Sequence, residues 1–84
     1  MTQFDLSDHA LRAMQDEGVT EDDIESCLEY GELEITQAVH GEMRYAKSLA
    51  LKYKTIMTVF TIREEKRRVI TVYSLTRKKW QHTH

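Results

Sequence analysis

The spacing of apolar residues changes once along this chain, at Gly31, and that change limits the fold more than any other feature. Before it, apolar residues recur at helical intervals, first Ala10, Leu11 and Met14, then Ile24, Cys27 and Leu28. A repeat of about 3.6 residues puts such positions on one helix face. After Gly31, the residues Leu33, Ile35, Gln37 and Val39 alternate with Glu32, Glu34, Thr36 and Ala38. A repeat of two sends neighbours to opposite faces of a strand.

Local signals set the boundaries. Ser7 is a good N-cap for a helix over Asp8 to Glu17, Leu6 and Leu11 have the spacing of a hydrophobic staple, and Gly18 is placed to end the helix in the left-handed conformation. Thr20 starts a second helix, with Val19 and Ile24 repeating the staple spacing. Glu21, Asp22 and Asp23 meet the positive end of its dipole, and Gly31 closes it. His40 and Gly41 supply a turn, Met43 to Leu51 forms the next strand, Lys52 to Lys54 turns again, and residues 55 to 63 and 68 to 75 form a hairpin rich in β-branched and aromatic residues. The expected order is α-α-β-β-β-β: an α+β fold with both helices packed on one face of a four-stranded antiparallel meander. No proline, repeat or linker divides the chain, so residues 1–84 are expected to form a single domain.

At 84 residues, with 40% hydrophobic and 31% charged residues, the chain has the composition of a small folded domain. Its only cysteine, Cys27, has no partner for an internal disulfide and falls on a core-facing helix position, which suits a packed thiol and a reducing cytoplasm. No apolar run is long enough to span a bilayer and the first residues lack the pattern of a signal peptide, so no membrane partner and a cytoplasmic location are expected. The net charge of -2 conceals a strong division. Residues 1 to 42 hold twelve acidic side chains and one basic, Arg12, whereas residues 43 to 84 hold eleven basic and two acidic, Glu64 and Glu65. Such asymmetry is a hint of a polyanionic or oppositely charged partner, or of two halves that neutralise one another.

In the last hairpin, Thr61, Arg63, Thr71 and Tyr73 fall on one face, opposite Ile56, Thr58, Phe60 and Ile62, while Ile70 and Val72 oppose Val69 and Thr71. Arg63, Lys66, Arg67 and Arg68 gather at its turn. Guanidinium groups bind phosphate through two N–H donors, hydroxyls add hydrogen bonds, and a tyrosine can stack on a base or give up a proton, so this face suits RNA. The second face is half apolar, and the C-terminal stretch with Trp80 is its expected cover.

The stretch "LSDHALRAMQDEGVTEDDIESCLEYGE" resembles a family of small bacterial domains of unknown function, the DUF4258 family, whose opening is Ser-x-His-Ala-x-x-Arg-Met followed by Glu-Arg-Gly-Ile-Thr and Asp-Ile. Ser7, His9, Ala10, Gly18, Val19, Thr20, Asp23, Ile24, Gly31 and the strand "VITVY" carry the resemblance, over nearly the whole chain. The ending "VFTIREEKRRVITVYSLTRKKW" is distantly similar to that of the BrnT and RelE type ribonuclease toxins. The chain departs from these patterns at Glu17 before Gly18, at Arg12-Ala13-Met14, and at Tyr73, where BrnT-like chains carry arginine.

This resemblance implies a RelE/BrnT-like fold and an RNA-acting domain, a metal-independent ribonuclease of a toxin-antitoxin system, with RNA as substrate and an antitoxin protein as partner. In that chemistry the ribose 2′-hydroxyl attacks the adjacent phosphate, a base and an acid move protons, and cations stabilise the charge on phosphorus. His9 and Tyr73 are the candidates for proton transfer, Arg63 and Arg44 for phosphate charge, and Thr71 for orientation. Arg67, Arg68, Arg77, Lys78 and Lys79 are the candidates for tracking the RNA backbone. No cofactor and no metal are expected, because His82 and His84 lack a third ligand and there is no CxxC or glycine-rich phosphate loop. The alternative is a non-catalytic module that binds protein or nucleic acid through one of its charged halves. A homodimer through the edge strand Leu33 to Val39, which has no lysine or proline, is a further expectation.

Overall fold

The computed structural model describes residues 3–76, so Arg77, Lys78, Lys79, Trp80, His82 and His84 lie outside the described residues. The elements run β1 (Phe4–Leu6), α1 (Asp8–Glu17), α2 (Glu21–Tyr30), β2 (Glu32–Val39), β3 (Glu42–Ala50), β4 (Lys54–Arg63) and β5 (Lys66–Thr76). They form one sheet in the order β1-β5-β4-β3-β2. The strands β2 to β5 pair antiparallel in sequence, and β1 pairs parallel with β5 through Phe4↔Arg67, Asp5↔Arg68 and Leu6↔Val69.

The expected four-stranded antiparallel meander is therefore corrected to a five-stranded mixed sheet within the same α+β class. The reason lies in β1. Three residues are too few to show a repeat of two, and Leu6, which has staple spacing to Leu11, instead ends a strand on Val69. Leu11 consequently stays 47% exposed, and Ala13 and Met14 pack beside Ala10.

The helix ends form as their sequences dictate. Ser7 Oγ accepts from the Ala10 N–H at 3.0 Å, and Gly18 takes the left-handed conformation at φ 65°. Thr20 and Asp23 cap one another's N–H groups, each at 3.1 Å. Gly31 has an ordinary φ of -71°, so its requirement is space rather than conformation. A Cβ there would lie 2.8 Å from the Ser48 carbonyl oxygen and would collide with that of Cys27. Glycine thus lets the end of α2 run directly onto β3.

The core consists of Ala10, Val19, Ile24, Cys27 and Leu28 against Ile56, Phe60, Val69 and Val72, so both helices cover one sheet face. Alternation alone puts Val69 and Val72 on opposite faces. A β-bulge between Val59 and Phe60 removes the conflict, because Val59 pairs with Thr71 while Phe60 pairs with Val69, leaving Ile70 as the extra residue. Both valines are then buried. Tyr45 stacks on Phe60 with centroids 5.5 Å apart, and the Arg67 guanidinium lies 5.8 Å from the Phe60 ring on its other strand neighbour.

Two tight turns carry positive φ at both central residues, His40-Gly41 at 51° and 78° and Glu64-Glu65 at 50° and 66°. Such angles match the twist of a two-residue hairpin and favour Asn-Gly. The second turn holds two glutamates in a left-handed conformation that costs each about 1 kcal/mol. Glu64→Asn combined with Glu65→Gly is expected to raise stability by about 1 to 2 kcal/mol in urea unfolding. An unchanged or lower midpoint would show the turn to be unstrained.

Cys27 is fully buried, and its thiol donates to the Lys47 carbonyl at 3.3 Å. Burial pushes the thiol above its ordinary value of 9.0, against smaller opposing effects of Thr58 and Lys47. Because the folded state holds the proton more tightly, this residue's contribution to stability is intact below pH 9.0 and declines as pH rises through that unfolded value. The stability difference between wild type and Cys27→Ala is expected to shrink above that pH. A difference independent of pH would show that the buried thiol does not titrate on unfolding.

Candidate functional site

Beyond its three-residue pairing with β1, the outer edge of β5 is met by α1 at the two ends of the helix. At the start of the helix, the Ser7 N–H donates to the Val69 carbonyl at 3.1 Å and the Ser7 hydroxyl to that of Ile70 at 3.1 Å. At its end, Glu17 Oε1 accepts from the Ser74 N–H at 2.8 Å, and the Ser74 hydroxyl donates to the Glu17 carbonyl at 3.2 Å. These contacts hold α1 along β5.

Between the two anchors lies an open groove of about 270 Å³. The helix contributes His9, Arg12, Asp16 and Glu17, and the strand contributes Thr71 and Tyr73. His9, Arg12 and Asp16 are three and four residues apart, which sets them on one helical stripe. His9 and Arg12 are exposed, Tyr73 is 51% exposed, and Thr71 is buried against the strand.

A second groove of about 280 Å³ runs across the sheet face that the helices leave open. Its floor is Ala46, Met57 and Val59, its outer wall is Ile35, Gln37 and Val39, and Arg44 and Tyr73 border it. Tyr73 belongs to both grooves. It separates the His9 and Arg12 side from the Arg44 side.

The residues singled out in the sequence divide accordingly. His9, Thr71 and Tyr73 line one groove, and Arg44 reaches Tyr73 through the other. Arg63 lines neither of these grooves, since Glu42 holds it with Arg63 Nε at 3.0 Å and a second nitrogen at 2.9 Å. Arg44 Nε lies 3.8 Å from the same carboxylate and is buried without a hydrogen-bond partner. Thr61 is buried and donates to the Met43 carbonyl at 2.7 Å, which makes it part of the sheet framework. Arg67 and Arg68 are separated by strand alternation, with Arg67 over Phe60 and Arg68 paired with Thr61. Arg77, Lys78 and Lys79 fall outside the described residues.

Arg12 and Gln37 are groove residues to which the sequence reading assigned no role. Their helical and strand faces are legible from spacing, but the elements those faces border are not. Among the described residues no group of three or more His, Cys, Asp or Glu is arranged to hold a metal ion. No described helix is long and apolar enough to cross a membrane.

A family model described as "Domain of unknown function (DUF4258)" matches residues 6–74. The chain belongs to this family. The matched region of this DUF4258 domain runs from the end of β1 to Ser74 and contains every residue named in the two grooves. No curated protein and no solved structure matches the chain.

The exposed members of the site make no framework hydrogen bond among the described contacts. His9→Ala and Tyr73→Phe are therefore expected to change stability by less than about 0.5 kcal/mol, measured by urea unfolding. A loss beyond about 1.5 kcal/mol in either variant would show that the side chain supports the fold.

Proposed function

We propose that this DUF4258 domain acts on RNA as a metal-independent endoribonuclease, with its site at the junction of the two grooves. The observation that supports this most directly is Tyr73, a half-exposed phenol that borders His9 and Arg12 on one side and Arg44 on the other. The distant sequence similarity to BrnT and RelE type toxins supports the same reading.

RNA brings its own nucleophile. An imidazole can take the proton of the 2′-hydroxyl near neutral pH, and a phenol, protonated there, can return a proton to the departing 5′-oxygen. His9 and Tyr73 take these two parts. The 2′-oxygen forms a new bond to phosphorus as the bond to the 5′-oxygen breaks, leaving a 2′,3′-cyclic phosphate and a free 5′-hydroxyl. Arg44 and Arg12 stabilise the added negative charge on the phosphoryl oxygens. Arg12 replaces Arg63 in this part, because Arg63 is already paired with Glu42. The Tyr73 ring and the apolar floor beside it offer a base a surface for stacking.

The test is incubation of mixed single-stranded RNA with the protein in EDTA, with products analysed for cyclic phosphate ends. Cleavage is expected, and His9→Ala and Tyr73→Phe are each expected to lower its rate by about 10²-fold or more while remaining folded. Wild-type protein that leaves RNA intact at high concentration would overturn the catalytic reading. Salt-sensitive binding without cleavage would identify a binding module instead.

A further inference from the structure

The two edges of the sheet are treated differently. On the β5 side, β1 pairs with the start of the strand, and Ser7 and Glu17 bind main-chain groups of Val69, Ile70 and Ser74. On the other side β2 ends the sheet, and no described strand pairs with its outer edge. Glu32 to Ala38 are all exposed, including Leu33 at 55% and Ile35 at 48%. No lysine, arginine or proline protects this edge.

Its geometry indicates which main-chain groups are open. The two-residue turn at His40 and Gly41 makes Val39 and Glu42 a hydrogen-bonded pair, and alternation along the ladder does the same for Gln37↔Arg44 and Ile35↔Ala46. Thr36 and Ala38 then point their N–H and C=O groups outward. A bulge between Leu33 and Ile35 ends the regular run, so Ile35 to Val39 is the stretch available for pairing.

We propose that this edge pairs antiparallel with β2 of a second copy, about a two-fold axis at Gln37. Thr36 of each copy exchanges hydrogen bonds with Ala38 of the other, Ile35 lies opposite Val39, and Gln37 lies opposite its own copy. The charges favour this direction. Glu32 and Glu34 occupy one end of the strand, so antiparallel pairing separates the two acidic ends and brings each Glu34 toward the other copy's His40, whereas parallel pairing would stack glutamate on glutamate. The pairing also has a consequence for the open face. Ile35, Gln37 and Val39 form the outer wall of the groove that contains Arg44 and Tyr73, and joining two walls sets two such grooves side by side across a ten-stranded sheet, each bordered on its far side by Tyr73.

Sedimentation of the full chain over a range of concentrations tests this. The wild type is expected to form a dimer. Thr36→Pro removes an N–H that points away from β3, so the fold should persist by circular dichroism while the protein sediments as a monomer. Gln37→Lys and Gln37→Glu should each weaken self-association, and mixing the two should restore dimer, because like charges face each other in each variant alone and opposite charges do in the mixture. A wild type that stays monomeric at the highest attainable concentration would overturn the proposal. A dimer that persists in Thr36→Pro, or no recovery on mixing, would equally exclude this edge and register.

Discussion

The arrangement of this molecule depends on how α1 is fastened to the edge of β5. Ser7 does this at one end, accepting the Ala10 N–H to start the helix while donating to the Ile70 carbonyl beside the bulge. Glu17 does it at the other, through the Ser74 N–H and hydroxyl. An unpaired strand edge is an open template for another chain, and here the helix termini that need partners supply them to an edge that needs them. Without this fastening, His9 and Arg12 would have no fixed position relative to Thr71 and Tyr73.

The bulge and the short first strand belong to the same solution. The extra residue Ile70 allows both Val69 and Val72 into the core, and it lies where Ser7 attaches. The parallel pairing of β1 brings the chain to Ser7 in the correct place, with the Ser7 N–H bound to the carbonyl of Val69. Packing of α2 shares the core that these features complete. It rests on Ile24, Cys27 and Leu28 and on the close approach that Gly31 permits.

Charge follows the layers only in part. The acidic side chains of α1 and α2 lie in the helical layer, and Arg44 and Arg63 lie on the opposite face, but Glu42 sits between those two arginines. The segregation along the sequence is therefore moderated around these two arginines. Arg44, with a buried Nε that has no hydrogen-bond partner, is the less satisfied of the two cations. That difference is the reason the open groove, rather than the hairpin tip, carries the functional reading.

The helices, their caps and the antiparallel succession of β2 to β5 were legible in the sequence, because each depends on residues close together in the chain, and the family membership was legible from residues spread along most of it. Ser7, Gly18 and Thr20 mark ends through local conformation and local hydrogen bonds, and a repeat of two needs only a long enough run to be seen. The three-residue strand, the bulge and the pairing of Arg63 with Glu42 were not legible. Each is decided by partners far along the chain: Leu6 by Val69, Ile70 by Ser7, Arg63 by a carboxylate on a neighbouring strand. The sequence determined that His9 and Arg12 share a helix face and that Thr71 and Tyr73 share a strand face. Only the tertiary structure decided that these two faces border one groove, because that depends on the helix closing the edge of β5 rather than simply covering the middle of the sheet.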